Sequence, residues 1–320
     1  MSTSPAVATS APPPSASERL KAVLLAALRV PAVNAIVRVA LRPLAGALPP
    51  EQLMRVPVVA TVRVRLPSGA ELRLGSDGRD AIASAYYWRG LQAWEPDTFR
   101  VIDRLLPHAN VVFDVGANSG PFSLYAALER PRATVFAFEP VPRSAAALAR
   151  NIALNGTRNV TACEAAVCDR DGTIELFVPP GESLPLGAST LPAFRRPGER
   201  LAVSALRLDT FVREHGIGTV DLLKLDAEGA EPAVLAGARE LLARDQPWIV
   251  CEVLHGLTEA GLHAELDRHG YRYFLITPRG LAEKPRIVGD PAYRDRNWLF
   301  AAPRRVAAAE AAGASFGDLI

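Results

Sequence analysis

Cysteine is scarce in this chain of 320 residues, which contains only Cys163, Cys168 and Cys251. The three form no Cys-x-x-Cys pair or other metal-binding spacing, and their odd number argues against a secreted scaffold held by disulfides. Sparse cysteines of this kind usually serve as small buried hydrophobic residues. We therefore expect a cytoplasmic protein whose core is stable without disulfides or a bound metal.

Neither sign of charge is in excess, because 36 Lys and Arg residues oppose 34 Asp and Glu residues and leave a net charge of +2. Nucleic-acid binding usually requires a strongly basic surface, so this balance predicts no nucleic-acid partner. Lysine is nearly absent, with 3 residues against 33 arginines. The bias is compositional, but it draws attention to Lys224, the one lysine that lies inside a motif.

Long hydrophobic runs are also missing, since no stretch approaches the roughly 20 apolar residues that span a bilayer. Residues 20–48 are apolar but interrupted by Arg29, Arg38, Arg42 and prolines, and the uncharged start of the chain is unlike a signal peptide. Two interpretations remain open. The segment packs on the main domain or a partner, or it lies on a membrane surface with its arginines among the headgroups. The arginines do not share one helical face, which favours packing.

Composition divides the chain into four parts. Residues 1–17 are rich in Pro, Ser and Ala and are predicted to form a disordered tail. Residues 18–94 are predicted to form a helical segment and then a β-hairpin cap, because alternating apolar and charged residues flank a Pro-Ser-Gly turn. Residues 95–303 are predicted to form an α/β domain, and residues 304–320 a C-terminal tail.

Short apolar strands alternate with helices from residue 111 onward, which is typical of a doubly wound, mostly parallel sheet. The predicted strands of this sheet are residues 111–115, 133–138, 160–167, 220–225, 248–253, 271–276 and 298–302. The last two have no helix between them, so we expect them to pair antiparallel at an edge. Two further strands, at residues 173–178 and 201–206, flank a long loop.

The segment Phe113-Asp-Val-Gly-Ala-Asn-Ser-Gly120 lies where a predicted strand hands over to a helix. It lacks the glycines of a dinucleotide-binding loop and the Gly-Lys-Ser/Thr of a phosphate-binding loop. Glu139 follows Gly120 by nineteen residues, at the end of the next strand, where a carboxylate suits the two hydroxyls of a ribose. The pattern therefore predicts a nucleoside ligand without a pyrophosphate.

These residues resemble class I S-adenosylmethionine-dependent methyltransferases, and within them the FkbM family. The resemblance depends on four segments and covers about residues 95–255: Asp114-Val-Gly-Ala-Asn-Ser-Gly120, Phe138-Glu-Pro140, Asn151-Ile-Ala-Leu-Asn155 and Asp221-Leu-Leu-Lys-Leu-Asp-Ala-Glu-Gly-Ala-Glu231. It implies S-adenosylmethionine as the cofactor and a seven-stranded, Rossmann-like methyltransferase sheet.

The resemblance also implies residue roles. The backbone of Gly116, Ala117, Asn118 and Gly120 is expected to hold the methionine end of the cofactor. Asp114 is expected beside the cofactor's amino group, Glu139 and Pro140 at the ribose, and Glu164 and Ala165 at the adenine.

Catalytic candidates follow the next two strands of the predicted sheet. Lys224 and Asp226 share one face of a strand, and its carboxyl end is where open α/β sheets bind ligands. Methyl transfer to a hydroxyl releases a proton, so Asp226 or His255 is predicted to act as a general base. Asp226 and Glu252 together suit a divalent cation, but the sequence has no further ligand cluster, and no metal is predicted.

Two further regions are candidates for the acceptor side. Glu95 is expected to line it through the resemblance, although the neighbouring aromatic residues equally suit packing of the cap onto the sheet. The long loop holds Ser189 and Thr190 and has the length of a lid. The interpretation is an O-methyltransferase acting on a small-molecule, sugar, glycan or polyketide-type hydroxyl, with N- or C-methylation left open. A nicotinamide oxidoreductase is disfavoured by the missing dinucleotide loop, and the remaining alternative is a catalytically silent binding or scaffold module.

Overall fold

A computed structural model describes residues 15–53, 55–181, 184–185, 187–189 and 199–311. The first part of it is helical and contains α1 (Ala16–Leu28), α2 (Pro31–Leu41) and α3 (Pro50–Leu53). These helices agree with the helical segment predicted to precede the hairpin. Residues 1–14 of the predicted tail lie outside the described residues.

The predicted hairpin is confirmed as β1 (Val59–Arg65) paired antiparallel with β2 (Glu71–Asp77). Its inward side chains are buried and its outward side chains are largely charged, as the alternation requires. Gly69 has φ of 89°, the left-handed conformation that the tight turn demands. Helices α4 (Ala81–Arg89) and α5 (Pro96–Leu105) then lead into the main sheet.

The remaining strands and helices alternate along the chain. The strands are β3 (Val111–Val115), β4 (Thr134–Phe138), β5 (Val160–Cys163), β6 (Ala166–Val167), β7 (Gly172–Val178), β8 (Glu199–Leu206), β9 (Leu222–Leu225), β10 (Trp248–Glu252), β11 (Arg272–Thr277), β12 (Gly280–Lys284) and β13 (Asn297–Ala301). The helices are α6 (Pro121–Glu129), α7 (Pro142–Asn155), α8 (Leu208–Glu214), α9 (Glu231–Ala236), α10 (Arg239–Asp245), α11 (Glu259–Leu266) and α12 (Pro303–Ala311).

The main sheet has the order β12-β11-β13-β10-β9-β3-β4-β5, and its five consecutive strands β10 to β5 are parallel. The doubly wound α/β fold is confirmed, with eight strands in place of the expected seven. The extra strand is β12, which pairs with β11 through a short turn at Gly280. The antiparallel pairing of the last two predicted strands is confirmed at one side of the sheet, where β13 lies between β10 and β11 and the additional strand β12 forms the edge itself.

The core lies on both faces of this sheet. Val112, Leu222 and Val250 point toward the cap, whereas Phe113, Leu223 and Ile249 point toward the opposite helices. Because side chains alternate along a strand, Lys224 lies on the same face as Leu222, the face covered by the cap. The cap therefore encloses the side of the sheet on which the predicted chemistry lies.

Two predicted boundaries differ from the structure. The predicted strand at residues 160–167 is split, because β6 leaves the main sheet and joins β7 and β8 in a separate sheet of three strands. The predicted tail from residue 304 begins instead within α12. Val306 is buried there, and Arg305 forms an ion pair with Asp221 at 3.0 Å, so tertiary contacts hold this Ala-rich helix in place.

Candidate active site

A cavity of about 320 Å³ opens at the carboxyl ends of the parallel strands, beneath the cap and the loop after β7. Its size lies within the range of small-molecule sites. The lining residues that carry polar chemistry are Glu95, Asp114, Asn118, Glu139, Lys224, Asp226, Glu228, Glu252 and Arg296. The cavity is thus placed where open α/β sheets bind ligands.

Strand order arranges these residues in a row. Glu252 ends β10, Asp226 follows β9, Gly116 follows β3, Glu139 follows β4 and Ala165 lies just beyond β5. Neighbouring strands are about 4.8 Å apart, so the row spans roughly 19 Å. One elongated ligand, or two ligands end to end, can therefore contact all five positions.

The loop after β3 uses its amide groups internally. Gly116 and Ala117 both donate their N–H groups to the carbonyl of Phe138, and Asn118 donates its N–H to Glu139 Oε2 at 2.8 Å. The amide of Ser119 is bonded to Asn118 Oδ1. These four amides are therefore already bonded within the protein. Gly116, Ala117 and Asn118 nevertheless line the cavity, so the loop borders the space where a ligand would lie.

Gly116 is required by the packing of two motifs against each other. Its φ is 83°, and a Cβ at this position would lie 1.8 Å from the carbonyl oxygen of Asp226. The amide of Asp226 in turn donates to the carbonyl of Val115. The first motif and the segment after β9 therefore form one unit, which the linear sequence does not reveal.

Glu139 is buried and already holds two backbone amides, those of Asn118 and Val141, one on each carboxylate oxygen at 2.8 Å. Burial raises the pKa of Glu139 to about 7, although these two hydrogen bonds oppose the rise. Each carboxylate oxygen has a second lone pair, so the group can still accept two hydroxyl hydrogens. The predicted position at a ribose is compatible with this geometry.

Lys224 is the centre of a buried charge cluster. Its Nζ lies 3.3 Å from Asp226 Oδ2 and 3.8 Å from Asp114 Oδ1. Burial opposes the ammonium charge, but Asp226, Asp114 and Glu95 outweigh it and raise the pKa of Lys224. Lys224 is therefore held charged, and it fixes two carboxylates that would otherwise repel each other.

Asp114 is fully buried, and Oδ2 accepts a hydrogen bond from Ser123 Oγ at 2.5 Å. Burial raises the pKa of Asp114, while Lys224 and Ser123 oppose that rise. Its Oδ1 accepts no hydrogen bond among the described residues, but it lies 3.8 Å from the ammonium group of Lys224. Asp114 is therefore fixed by Ser123 on one oxygen and by the Lys224 charge on the other.

Three carboxylates converge beyond Lys224. One oxygen from each of Asp226, Glu228 and Glu252 lies within 4.8 Å of the others. Burial and Asp226 raise the pKa of Glu228 to about 8 and that of Glu252 to about 9. Two cations adjoin this group, because Arg296 Nη1 lies 2.6 Å from Glu252 Oε1 and Lys224 pairs with Asp226. The cluster therefore combines two carboxyl groups of raised pKa, Glu228 and Glu252, with positive charge that limits the repulsion between the acids.

Glu95 joins this cluster from the cap. It adopts a left-handed backbone conformation, with φ of 44°, immediately before α5. Burial and Asp226 raise the pKa of Glu95, and Lys224 and Arg296 oppose the rise. Strained residues of this kind cluster at functional sites. The expected place of Glu95 in the acceptor-side wall agrees with this geometry.

The structure does not bring every predicted residue to the cavity. His255 is half-exposed outside the lining, and its Nδ1 lies 2.9 Å from the carbonyl of Gly289. The structure therefore gives no support to its predicted role as a general base. Glu164 is exposed and also lies outside the lining, whereas Ala165 is part of it.

The long loop approaches the acidic end of the cavity. Asn118 Nδ2 donates to the carbonyl of Pro185, and Ser189 Oγ donates to the carbonyl of Glu228 at 2.6 Å. Pro185 and Ala188 line the cavity, so the part of the loop described covers it as a lid would. Thr190 lies outside the described residues.

Glu228 and Arg296 were not singled out from the sequence. Glu228 lies within the quoted segment after β9, and its left-handed backbone, with φ of 51°, is what turns it into the wall. Arg296 precedes β13 in a loop without a motif, so no sequence signal identifies it. Glu231 has a structural role, because its Oε1 accepts the amides of Ala227 and Gly229.

Comparison with known proteins gives a consistent result. Residues 114–273, half of the chain, match the family model described as the methyltransferase FkbM domain. The chain is similar to 31-O-demethyl-FK506 methyltransferase FkbM of Streptomyces tacrolimicus, with 35% identity over 158 residues, covering 41% of this chain and 60% of that protein. It is also similar to the 2-O-methyltransferase NoeI of Sinorhizobium fredii, with 30% identity over 146 residues, covering 42% and 59%.

The match thus spans about three fifths of the length of these curated relatives. Among solved structures, the chain is similar to the methyltransferase FkbM of Methylobacillus flagellatus, with a TM-score of 0.39 and 15% identity, covering 60% of this chain and 43% of that one.

Proposed function

The chain belongs to the FkbM family of S-adenosylmethionine-dependent methyltransferases, and we propose that it methylates a hydroxyl oxygen of a small molecule, sugar, glycan or polyketide-type acceptor. One observation carries this proposal. The same cavity joins Glu139, suited to a ribose, with the converging carboxylates Asp226, Glu228 and Glu252, two and three strands away. This arrangement supports a methyl-transfer site whose cofactor and acceptor halves lie side by side at the carboxyl ends of the strands.

The residues of the chain fit the cofactor at three points. Glu139 accepts the ribose hydroxyls, and the small residue Ala165 with Val167 and Leu176 gives the adenine an apolar border. Asp114 lines the cavity beside the loop after β3, and its carboxylate favours the amino group of the methionine end. When bound, S-adenosylmethionine supplies a methyl group activated by its sulfonium charge.

The acidic end of the cavity receives the acceptor hydroxyl and its proton. Within the described part of the chain Asp226 and Glu252 are held by Lys224 and Arg296, and no ion pair includes Glu228. The pKa of Glu228, about 8, is also close to neutral. A base of this strength is well matched to a hydroxyl proton at physiological pH, so Glu228 is the proposed general base.

Lys224 contributes as a positioning residue. Its ammonium group holds Asp114 on the cofactor side and Asp226 on the acceptor side, which fixes the distance between the two halves of the site. Alignment of the acceptor oxygen with the methyl carbon accounts for much of the rate in reactions of this type. Loop residues Pro185 and Ala188 exclude water from the same region.

The acceptor class is inferred from the relatives and the cavity. The names of the two relatives specify oxygen as the atom methylated, one at position 31 of FK506 and the other at a 2-hydroxyl. The wall around the acceptor end holds more carboxylates than cations, which disfavours an anionic acceptor. A neutral polyol, sugar or macrolide hydroxyl meets both conditions.

Isothermal titration with S-adenosylhomocysteine, followed by a screen of hydroxylated acceptors with a labelled methyl donor, tests the proposal. We expect binding that is lost in Glu139→Ala. We expect Glu228→Gln to bind normally and to lose roughly 10²–10⁴-fold in turnover. His255→Gln is the control and keeps full activity. Failure of the wild type to bind the product contradicts the proposal, and binding without turnover on any acceptor supports the silent-module alternative.

A further inference from the structure

The outer surface of α1 and α2 is unusual because it is apolar and exposed. Eight of the eleven exposed large hydrophobic residues among those described lie here, and we call them the outer apolar face. They are Leu20, Val23, Leu24, Val30, Val33, Ile36, Val39 and Leu44. Concentrated exposure of this kind is typical of a surface that is covered by something else in use.

The inner side of α2 is firmly attached to the cap. Asn34 is fully buried, and its Nδ2 donates to the carbonyls of Leu28 and Pro57 at 2.8 and 2.7 Å. Its Oδ1 accepts the amide of Val59 at 2.8 Å. The Arg38 guanidinium lies 5.0 Å from the ring centre of Tyr87. Packing on the domain therefore explains the inner side and leaves the outer apolar face without a partner in the described chain.

The charge of the N-terminal part of the chain indicates what covers the outer apolar face. Residues 16–94 contain 11 Lys and Arg against 5 Asp and Glu, a net charge of +6, so the rest of the chain carries −4. The small net charge of the whole chain is therefore the sum of a basic N-terminal part and an acidic remainder. A second copy docked symmetrically would bring two such caps together, which is unfavourable. An anionic bilayer surface is complementary to both the apolar side chains and the positive charge.

The geometry favours lying on the bilayer over crossing it. In the described residues no single helix has the length and hydropathy to span a membrane. Only the bent pair Ala22–Leu28 and Pro31–Leu44 meets these criteria jointly, at an angle of 87°. The bond from Asn34 to Leu28 crosses the bend, and the bonds from Asn34 to Pro57 and Val59 hold α2 on the cap. A pair that straightened and left the cap to cross a bilayer would lose all three. We propose that the outer apolar face docks the protein onto the surface of an anionic lipid bilayer.

Co-flotation of the full chain with vesicles tests this proposal. One set of vesicles contains phosphatidylcholine alone, and the other contains phosphatidylcholine mixed with phosphatidylglycerol. We expect binding to the anionic vesicles, weakened by salt, and at least about tenfold weaker binding to the neutral ones. The double substitution Ile36→Ser with Val39→Ser removes two side chains that are 71% and 73% exposed. It should weaken binding at least about tenfold.

Val288→Ser is the matched control, because Val288 is 63% exposed but lies far along the chain from α1 and α2. It should bind vesicles as the wild type does. Equal recovery of wild type and double variant, or no flotation with anionic vesicles, overturns the proposal. Sedimentation of the wild type as a dimer that the double variant dissociates, without vesicle binding, assigns the face to a second copy and also overturns it.

Discussion

Cofactor affinity should depend on pH through Glu139. In the free protein burial raises the pKa of this carboxyl to about 7, so it is largely protonated at pH 5.5. Ribose hydroxyls donate hydrogen bonds to the carboxylate and favour the ionised form, so in the complex the pKa should return toward its ordinary value of 4.5. Binding therefore requires loss of a proton, and affinity should fall as the pH falls below about 7.

The magnitude follows from linkage between binding and protonation. A pKa of about 7 in the free state and about 4.5 in the complex makes the dissociation constant of S-adenosylhomocysteine about twentyfold larger at pH 5.5 than at pH 7.5. Titration calorimetry at several pH values measures it directly. Calorimetry in two buffers of different ionisation enthalpy also gives the number of protons released on binding. We expect this number to be close to one near pH 6.

Two variants separate Glu139 from its neighbours. Glu139→Gln should bind weakly and with little dependence on pH, because the titrating group is gone. Glu228→Gln should keep the dependence of the wild type, although the pKa of Glu228 is also raised, because this side chain lies at the acceptor end. A dissociation constant that stays constant between pH 5.5 and 7.5 in the wild type would refute the placement of the ribose at Glu139.

Three further predictions concern stability and are measured by urea denaturation without cofactor. Lys224→Met leaves the charges of Asp114 and Asp226 uncompensated and should lower the free energy of unfolding by about 3–5 kcal/mol. Lys284→Met, at an exposed lysine, is its control. Equal free energies of unfolding for the two variants would contradict the role of Lys224. Gly116→Ala places a Cβ against the Asp226 carbonyl and should destabilise severely or prevent folding, whereas Gly46→Ala, with open space around its Cβ, should be nearly neutral. Glu139, Glu228 and Glu252 have raised pKa values, so between pH 6 and 8 the folded state retains protons that the unfolded chain has already released. The free energy of unfolding should therefore fall over this range, by on the order of 1 kcal/mol for each group. A rise over the same range would exclude the raised pKa values.

Local patterns determined much of this protein. Alternation of charged and apolar residues identified the hairpin, and the strand-helix periodicity identified the doubly wound sheet. The loop after β3 and Glu139 were found because a strand end, a turn and a carboxylate at the next strand end are adjacent in sequence order as well as in space. For the same reason Asp226 and Glu252 were recognised as neighbours, since their strands are consecutive in the sheet.

Long-range packing decided what the sequence left open. His255 follows the same strand as Glu252, but only Glu252 lines the cavity, whereas the Nδ1 atom of His255 lies 2.9 Å from the carbonyl of Gly289. Arg296 reaches Glu252 because β13 inserts beside β10, a pairing between strands far apart in the chain.

The N-terminal segment is a second example of the difference between local and long-range information. That it is apolar and basic follows from its composition, which does not depend on how the chain folds. Which side of α2 packs on the cap depends on Asn34 meeting Pro57 and Val59, which is a tertiary contact. Composition and periodicity are local and can be read from the chain, whereas the direction of a side chain and its ion-pair partner depend on elements that meet only after folding.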